Sequence, residues 1–278
     1  MEQVLEPIVA DAPLLAPAPQ IKRVRPAWQI SVLTVAVLVL LWWAVTAAGL
    51  IQPLFLPSPQ AVLRQLWVVS THGFMDATLW QHLGASLTRI VLALIAAIVL
   101  AVPVGIAVGL SPRVQAVLDP LIEFYRPIPP LAYLPLIVIW FGIGEFSKVL
   151  LIYLAIFAPI AISTAAGVRA ADPARIRAAQ SLGATRWQLV RFVILPGALP
   201  DVLTGVRIGL GTGWSTLVAA ELVAATRGLG FMVQSAAQFL VTDVVVLGIA
   251  VIAVIAFALE LALRALQRKL TPWVAAQR

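Results

Sequence analysis

Read for polarity alone, the chain alternates long apolar runs with short polar connections. Six runs reach the ~20 residues that a helix needs to cross a bilayer. They lie near 30–50, 84–110, 118–144, 148–168, 204–226 and 244–264. Residues 30–50, 90–110, 127–144 and 149–168 hold no charge at all, whereas 204–226 contains Arg207 and Glu221 and the last run carries Glu260 near its end. None alternates with a period of two, as barrel strands would. Backbone groups in lipid must be satisfied within the segment, so each run is read as a helix. The prediction is an all-α membrane protein with six transmembrane helices. Residues 1–29 form a separate tail with five prolines, ending in Lys22, Arg23 and Arg25. A cleaved signal peptide has an apolar stretch of only ~7–15 residues. The 30–50 run is longer and holds Trp42 and Trp43, which suit a membrane interface, so it reads as a retained span.

Composition narrows the class. Of 278 residues, 62% are hydrophobic and 11% charged, against about 45–50% and 25% in soluble domains. With no cysteine, disulfides, iron–sulfur clusters and thiol nucleophiles are excluded. His72 and His82 stand ten apart with Asp76 between them, which is no metal-ligand spacing. No G-x-S-x-G elbow occurs, and the dipeptide Gly-Lys is absent, so there is no phosphate-binding loop of the G-x-x-x-x-G-K-[ST] type. The net charge of +7 could suggest nucleic acid, but its distribution says otherwise. With the N-terminus inside, thirteen of the nineteen Lys and Arg fall on the inner side, and only Arg64, Lys148 and Arg227 on the outer. This positive-inside bias puts both termini in the cytoplasm.

The longest and most basic inner connection is 169–203. Within it, Ala178, Ala179 and Leu182 follow a helical pattern, Gly183 interrupts it, and Trp187, Leu189, Val190, Val193 and Ile194 resume it. Pro196 is expected to stop the second helix and bend the chain into the fifth span. Physics alone leaves two readings open. Small residues would let another protein approach closely, and an amphipathic helix could equally lie on lipid headgroups.

The same loop resembles the signature of permease subunits of bacterial ABC importers: Glu-Ala-Ala, three residues, Gly, nine residues, Ile, one residue, Leu-Pro. Here it reads Arg177-Ala178-Ala179, then Gly183, then Val193-Ile194-Leu195-Pro196, with every spacing kept. Arg177 and Val193 depart from the pattern, so no role of the glutamate's charge carries over. LFLPSPQ at 54–60, GFMDATLWQHL at 73–83, YRPIPPLAYLPLIVIWFGIGE at 125–145 and GWSTLVAAELVAATRGLGFMVQSA at 213–236 are similar to the branch serving taurine, sulfonates, nitrate and related small anions. The likeness runs from about residue 42 to 273.

The resemblance implies a type I ABC importer permease fold in the bacterial cytoplasmic membrane. It implies no cofactor and no catalysis on this chain, with ATP bound by a partner. The implied partners are a second copy of the chain, a cytoplasmic ABC ATPase dimer, a periplasmic taurine-binding protein and the bilayer, and no nucleic acid. Arg177, Ala178, Ala179, Gly183, Leu195 and Pro196 would form the ATPase-coupling loop. Taurine is the expected cargo, with another alkanesulfonate or nitrate-like anion as the alternative. Ionisable residues within spans are candidates for the pathway, because burying charge in lipid is expensive. Glu221, Arg126 and Arg207 are therefore candidates, beside blander readings: snorkelling for the two arginines, and a hydrated mouth or an Arg227 pair for Glu221. Glu260 and Arg264 stand four apart in the favourable order of a helix pair. Gly105 and Gly109, and Gly205, Gly209 and Gly213, each share a helix face. They would pack helices within the subunit or form a gating surface between two copies.

Overall fold

A computed structural model describes residues 27–275. The tail call for 1–29 thus falls almost wholly outside the described residues, as do Lys22, Arg23, Arg25 and Arg278 of the charge count. The described residues form helices and no strand, with one isolated bridge between Phe74 and Ala77.

Helix α1 (Ala27–Ala47) is apolar and exposed along nearly all of its length. Helix α2 (Pro59–Thr71) starts at the Ser58 cap, with Pro59 in the first turn where no intrahelical N–H is required. It buries Val62 and Val69. Helix α3 (Leu79–Leu110) begins with a Thr78–Gln81 capping box, a turn and a half before the expected start of the second span.

The third expected span is broken. Helix α4 (Pro112–Tyr125) and the segment from Pro130 through α5 (Leu134–Phe141) meet at 89°. Pro127, Pro129 and Pro130 withhold three of four consecutive donors, so a continuous helix over 118–144 cannot form. Among the described residues five helices are long and apolar enough to span by themselves, and six spans result when the bent pair counts as one.

Helix α6 (Glu145–Arg169) is the centre of the subunit, packed between α3 and α9 (Leu195–Ala224). Ile90, Ile152, Ile156, Ile160 and Leu217 fill the contact. Both glycine rows face α6 of the same subunit. A Cβ on Gly105 would stand 2.6 Å from the Ala161 carbonyl oxygen and the Thr164 Cβ, and one on Gly213 2.5 Å from Ile156. At Gly105 the backbone itself is in the way, so a larger residue there must displace α6.

Between α6 and α9 come α7 (Pro173–Ser181) and α8 (Arg186–Leu189). Pro196 does not end the second helix. Residues Val190–Ile194 widen into a π turn in which the Leu195 N–H reaches the Val190 carbonyl, and the helix continues into α9. The wider turn makes room for a residue without an N–H, so the chain runs on as one candidate span from Arg186 to Val223. Helices α10 (Leu229–Gln238) and α11 (Thr242–Leu270) pack on each other, and α12 (Pro272–Ala275) ends the described chain.

Candidate functional site

Three places concentrate polar chemistry in this apolar scaffold. The first joins the N-terminal part of α3 to the start of α6 and the end of α9. Arg89 is 4% exposed and Glu221 fully buried, and their ion pair is 2.6 Å long. Arg89 also grips Glu145 in a fork, Nε to Oε2 at 2.6 Å and Nη2 to Oε1 at 2.8 Å. Its Nη1 donates as well to the Arg227 carbonyl at 2.7 Å. Glu221 accepts from Ser86 Oγ and from the Gly230 N–H, each at 2.8 Å. Lys148 donates to Glu145 at 2.8 Å, so two cations meet two carboxylates. A buried charge is tolerated only with such complete pairing. His82 completes the wall. Its Nδ1 accepts from the Gly228 N–H, so Nε2 bears the proton and donates to the Phe74 carbonyl at 3.3 Å. Gly228 has φ +138°, and any Cβ there would strike the Glu221 carboxylate. The glycine is thus demanded twice, by conformation and by space.

The second place is an open cavity of about 610 Å³ between the break after α4, α6 and α9. Arg126, Tyr125 and Tyr133 come from the break, Ser163 from α6, and Thr212 and Ser215 from α9. Its α6 wall, 154–163, starts nine residues from one end of that helix and stops six from the other. At 1.5 Å per residue those margins are about 13 and 9 Å, so the cavity lies near mid-depth.

The third is the 169–203 connection. Asp172 caps α7 by accepting from the Ala174 N–H at 2.8 Å. Gly183, at φ +81°, makes the turn that an L side chain resists, and a Thr185–Gln188 capping box restarts the helix. Helix α7 buries none of its residues. Leu182 is 89% exposed and Trp187 and Phe192 about two-thirds exposed, among Arg175, Arg177, Arg186 and Arg191. A nine-residue helix without packing is marginal in water, and a cluster of exposed apolar side chains marks a surface awaiting a partner.

The family model for the binding-protein-dependent transport system inner membrane component matches residues 97–274. The chain belongs to this family. Among its relatives, the taurine transport system permease protein TauC of Escherichia coli K12 is 71% identical over 245 residues, covering 88% of this chain and 89% of that one. The putative aliphatic sulfonates transport permease protein SsuC of the same strain is 39% identical over 251 residues, covering 90% and 92%. A chain of the inward-facing MetNI methionine ABC transporter superposes with a TM-score of 0.63 at 20% identity, covering 71% of this chain and all of that one. That likeness shows the ABC importer permease fold. This chain is therefore a multi-pass inner-membrane component of a transport system, working with a binding protein and not catalytic alone.

Within this permease the candidates named from sequence are separated in space. Glu221 lies in the buried network and pairs with Arg89, not with the Arg227 side chain. Arg207 stands 3.4 Å from Glu260, which also holds Arg264 at 2.8 Å as its expected helix partner. Arg126 alone of the three lines the cavity. Arg89, Ser86, Glu145 and Lys148 were not singled out from sequence. The signal for Arg89 was available: it is the one charge between Leu79 and Leu110, eleven residues into that helix. Counting it as the edge of an uncharged run hid it.

Proposed function

We propose that this permease carries taurine across the bacterial cytoplasmic membrane as part of an ATP-driven importer. The observation that carries the reading is 71% identity to the taurine transport permease along 88% of the chain. The likeness to an aliphatic-sulfonate permease keeps another alkanesulfonate as the second reading. Two copies of the chain line the pathway across the cavity face of α4, α6 and α9. The basic end, with both termini and the 169–203 connection, faces the cytoplasm.

There, Arg177, Ala178, Ala179 and Gly183 dock on an ATPase that binds the ATP, and Leu195 and Pro196 carry its motion into α9. The exposed Leu182 and Trp187 support this reading, because a partner would cover them. So does the unbroken helical path from α8 through the π turn into α9, since a rigid rod transmits a displacement that a hinge would absorb. A periplasmic taurine-binding protein delivers the cargo at the opposite end.

The test is uptake of labelled taurine into proteoliposomes containing this chain, its ATPase and its binding protein. Uptake requiring ATP and the binding protein, weakly competed by longer alkanesulfonates, is the expected result. ATP-driven uptake of a different sulfonate overturns the cargo, and uptake indifferent to ATP overturns the coupling.

A further inference from the structure

We infer that the cavity at the break of the third span is a binding station for the anionic end of the cargo, with Arg126 as its anchor. The inference rests on the import reading above and adds to it a place and a residue.

Four observations converge on it. First, Arg126 stands at the end of α4, fourteen residues after that helix begins at Pro112, and its side chain is 55% exposed. Tyr125, its neighbour, lines one pocket with Tyr153 and Phe157 from the middle of α6, which places this arginine near mid-depth. An exposed guanidinium at that depth is costly against lipid, so this face belongs to a watered pathway. Second, the helix unwinds immediately after the arginine. Pro127, Pro129 and Pro130 stop the helix, and irregular backbone at membrane depth is tolerated only where it lines a cavity or is covered by protein. Third, the surrounding groups are those that recognise a sulfonate. Ser163, Thr212 and Ser215 line the same space with hydroxyls; Thr212 and Ser215 give their protons to the Gly209 and Gly211 carbonyls, so the donors left for a sulfonate there are Arg126 and Ser163. A guanidinium presents a planar fork of donors to a multi-oxygen anion. Fourth, the charge next to Arg126 has the opposite sign. Glu123 lies 3.5 Å away on the preceding turn and is 59% exposed. A pair this loose and this wet holds its partners weakly. It leaves the Arg126 guanidinium, which lines the cavity, free to exchange Glu123 for the anionic end of the cargo.

Arg207 and Glu221 do not compete for this role. Arg207 is taken by Glu260. Glu221 is sealed in its network with both oxygens occupied.

The chain has no native cysteine, which permits a direct test. Ser215→Cys is placed in the full complex with ATPase and binding protein, and its rate of modification is measured with the anionic 2-sulfonatoethyl and the cationic 2-aminoethyl methanethiosulfonates. Adding Arg126→Gln removes one positive charge from the cavity. The ratio of anionic to cationic rates is expected to fall about tenfold, the effect of one nearby charge at intermediate dielectric. Taurine is expected to slow the anionic reaction only when Arg126 is present. In parallel, Arg126→Gln should raise the KM for taurine uptake about tenfold, with Arg126→Lys keeping part of the affinity and all of the rate ratio. Arg126 is half exposed, so neither substitution disturbs the core.

An unchanged rate ratio, or unchanged taurine uptake in Arg126→Gln, overturns the station. If the unaltered complex imports taurine in that case, the import reading survives without it. If the unaltered complex imports no taurine, the import reading falls, and the rate ratio alone decides whether the cavity selects anions.

Discussion

Glu221→Ala tests whether the buried ion cluster holds the subunit together or serves the cargo. The substitution strips Arg89 Nη1, Ser86 Oγ and the Gly230 N–H of one shared acceptor. Removing one partner of a buried pair costs about 3–5 kcal/mol, because the other charge stays buried without compensation. Arg89 keeps Glu145, which is 64% exposed and partly solvated, so the lower half of that range applies, about 3–4 kcal/mol. For a chain of this size each kcal/mol moves the melting temperature by about 2–4 °C, which predicts a fall of roughly 6–16 °C. The assay is thermal unfolding of the purified complex without cargo. Arg89→Met should cost a similar amount. The double variant Arg89→Met/Glu221→Met removes both charges together. It should cost less than the sum of the single changes by at least about 2 kcal/mol, since no buried charge is left alone. Additive costs, or a Glu221→Ala shift below about 2 °C, would refute the claim that this pair is coupled and buried. A tenfold rise in KM at unchanged melting temperature would assign Glu221 to the cargo instead.

Other substitutions separate packing, coupling and surface. Gly105→Ala drives a Cβ into the Ala161 carbonyl and Thr164 and should cost about 1–3 kcal/mol, whereas Gly84→Ala in the same helix meets nothing within 4 Å and should be neutral or stabilising on thermal unfolding. Leu182→Asp should leave the melting temperature of the isolated permease unchanged, because the side chain is 89% exposed, while lowering recovery of the ATPase in co-purification. Arg207→Gln breaks only the partly exposed 3.4 Å pair with Glu260 and should change stability by less than about 1 kcal/mol, read by the same melt.

Much of the architecture was legible in the chain because lipid imposes a simple rule. Each uncharged run had to be a helix, and five of the six appear as continuous helices near their expected positions. The helix–turn–helix within 169–203 was legible because turn chemistry is local: Gly183, at φ +81°, acts on residues within a few positions of itself. The two errors were also local, and both concern proline. Three prolines broke the third span where an apolar pattern promised continuity. A single Pro196 failed to break the fifth, because a π turn absorbed it. Apolarity reports where a segment lies, and it does not report whether the helix within it is intact.

By itself, then, the sequence determined the helical class, the approximate positions of the spans, and the kinship. Each depends on composition, periodicity or fixed short spacing. Only the tertiary structure decided which charges meet. Arg89 and Glu221 are 132 positions apart, and no short-range pattern ties them. The same holds for Ser163, Ser215 and Arg126, which three separate segments bring to one cavity. It holds too for the glycine rows, whose spacing implied a close contact but not with what. The partner is α6 of the same subunit, whose backbone and side chains leave no room for a Cβ on either row.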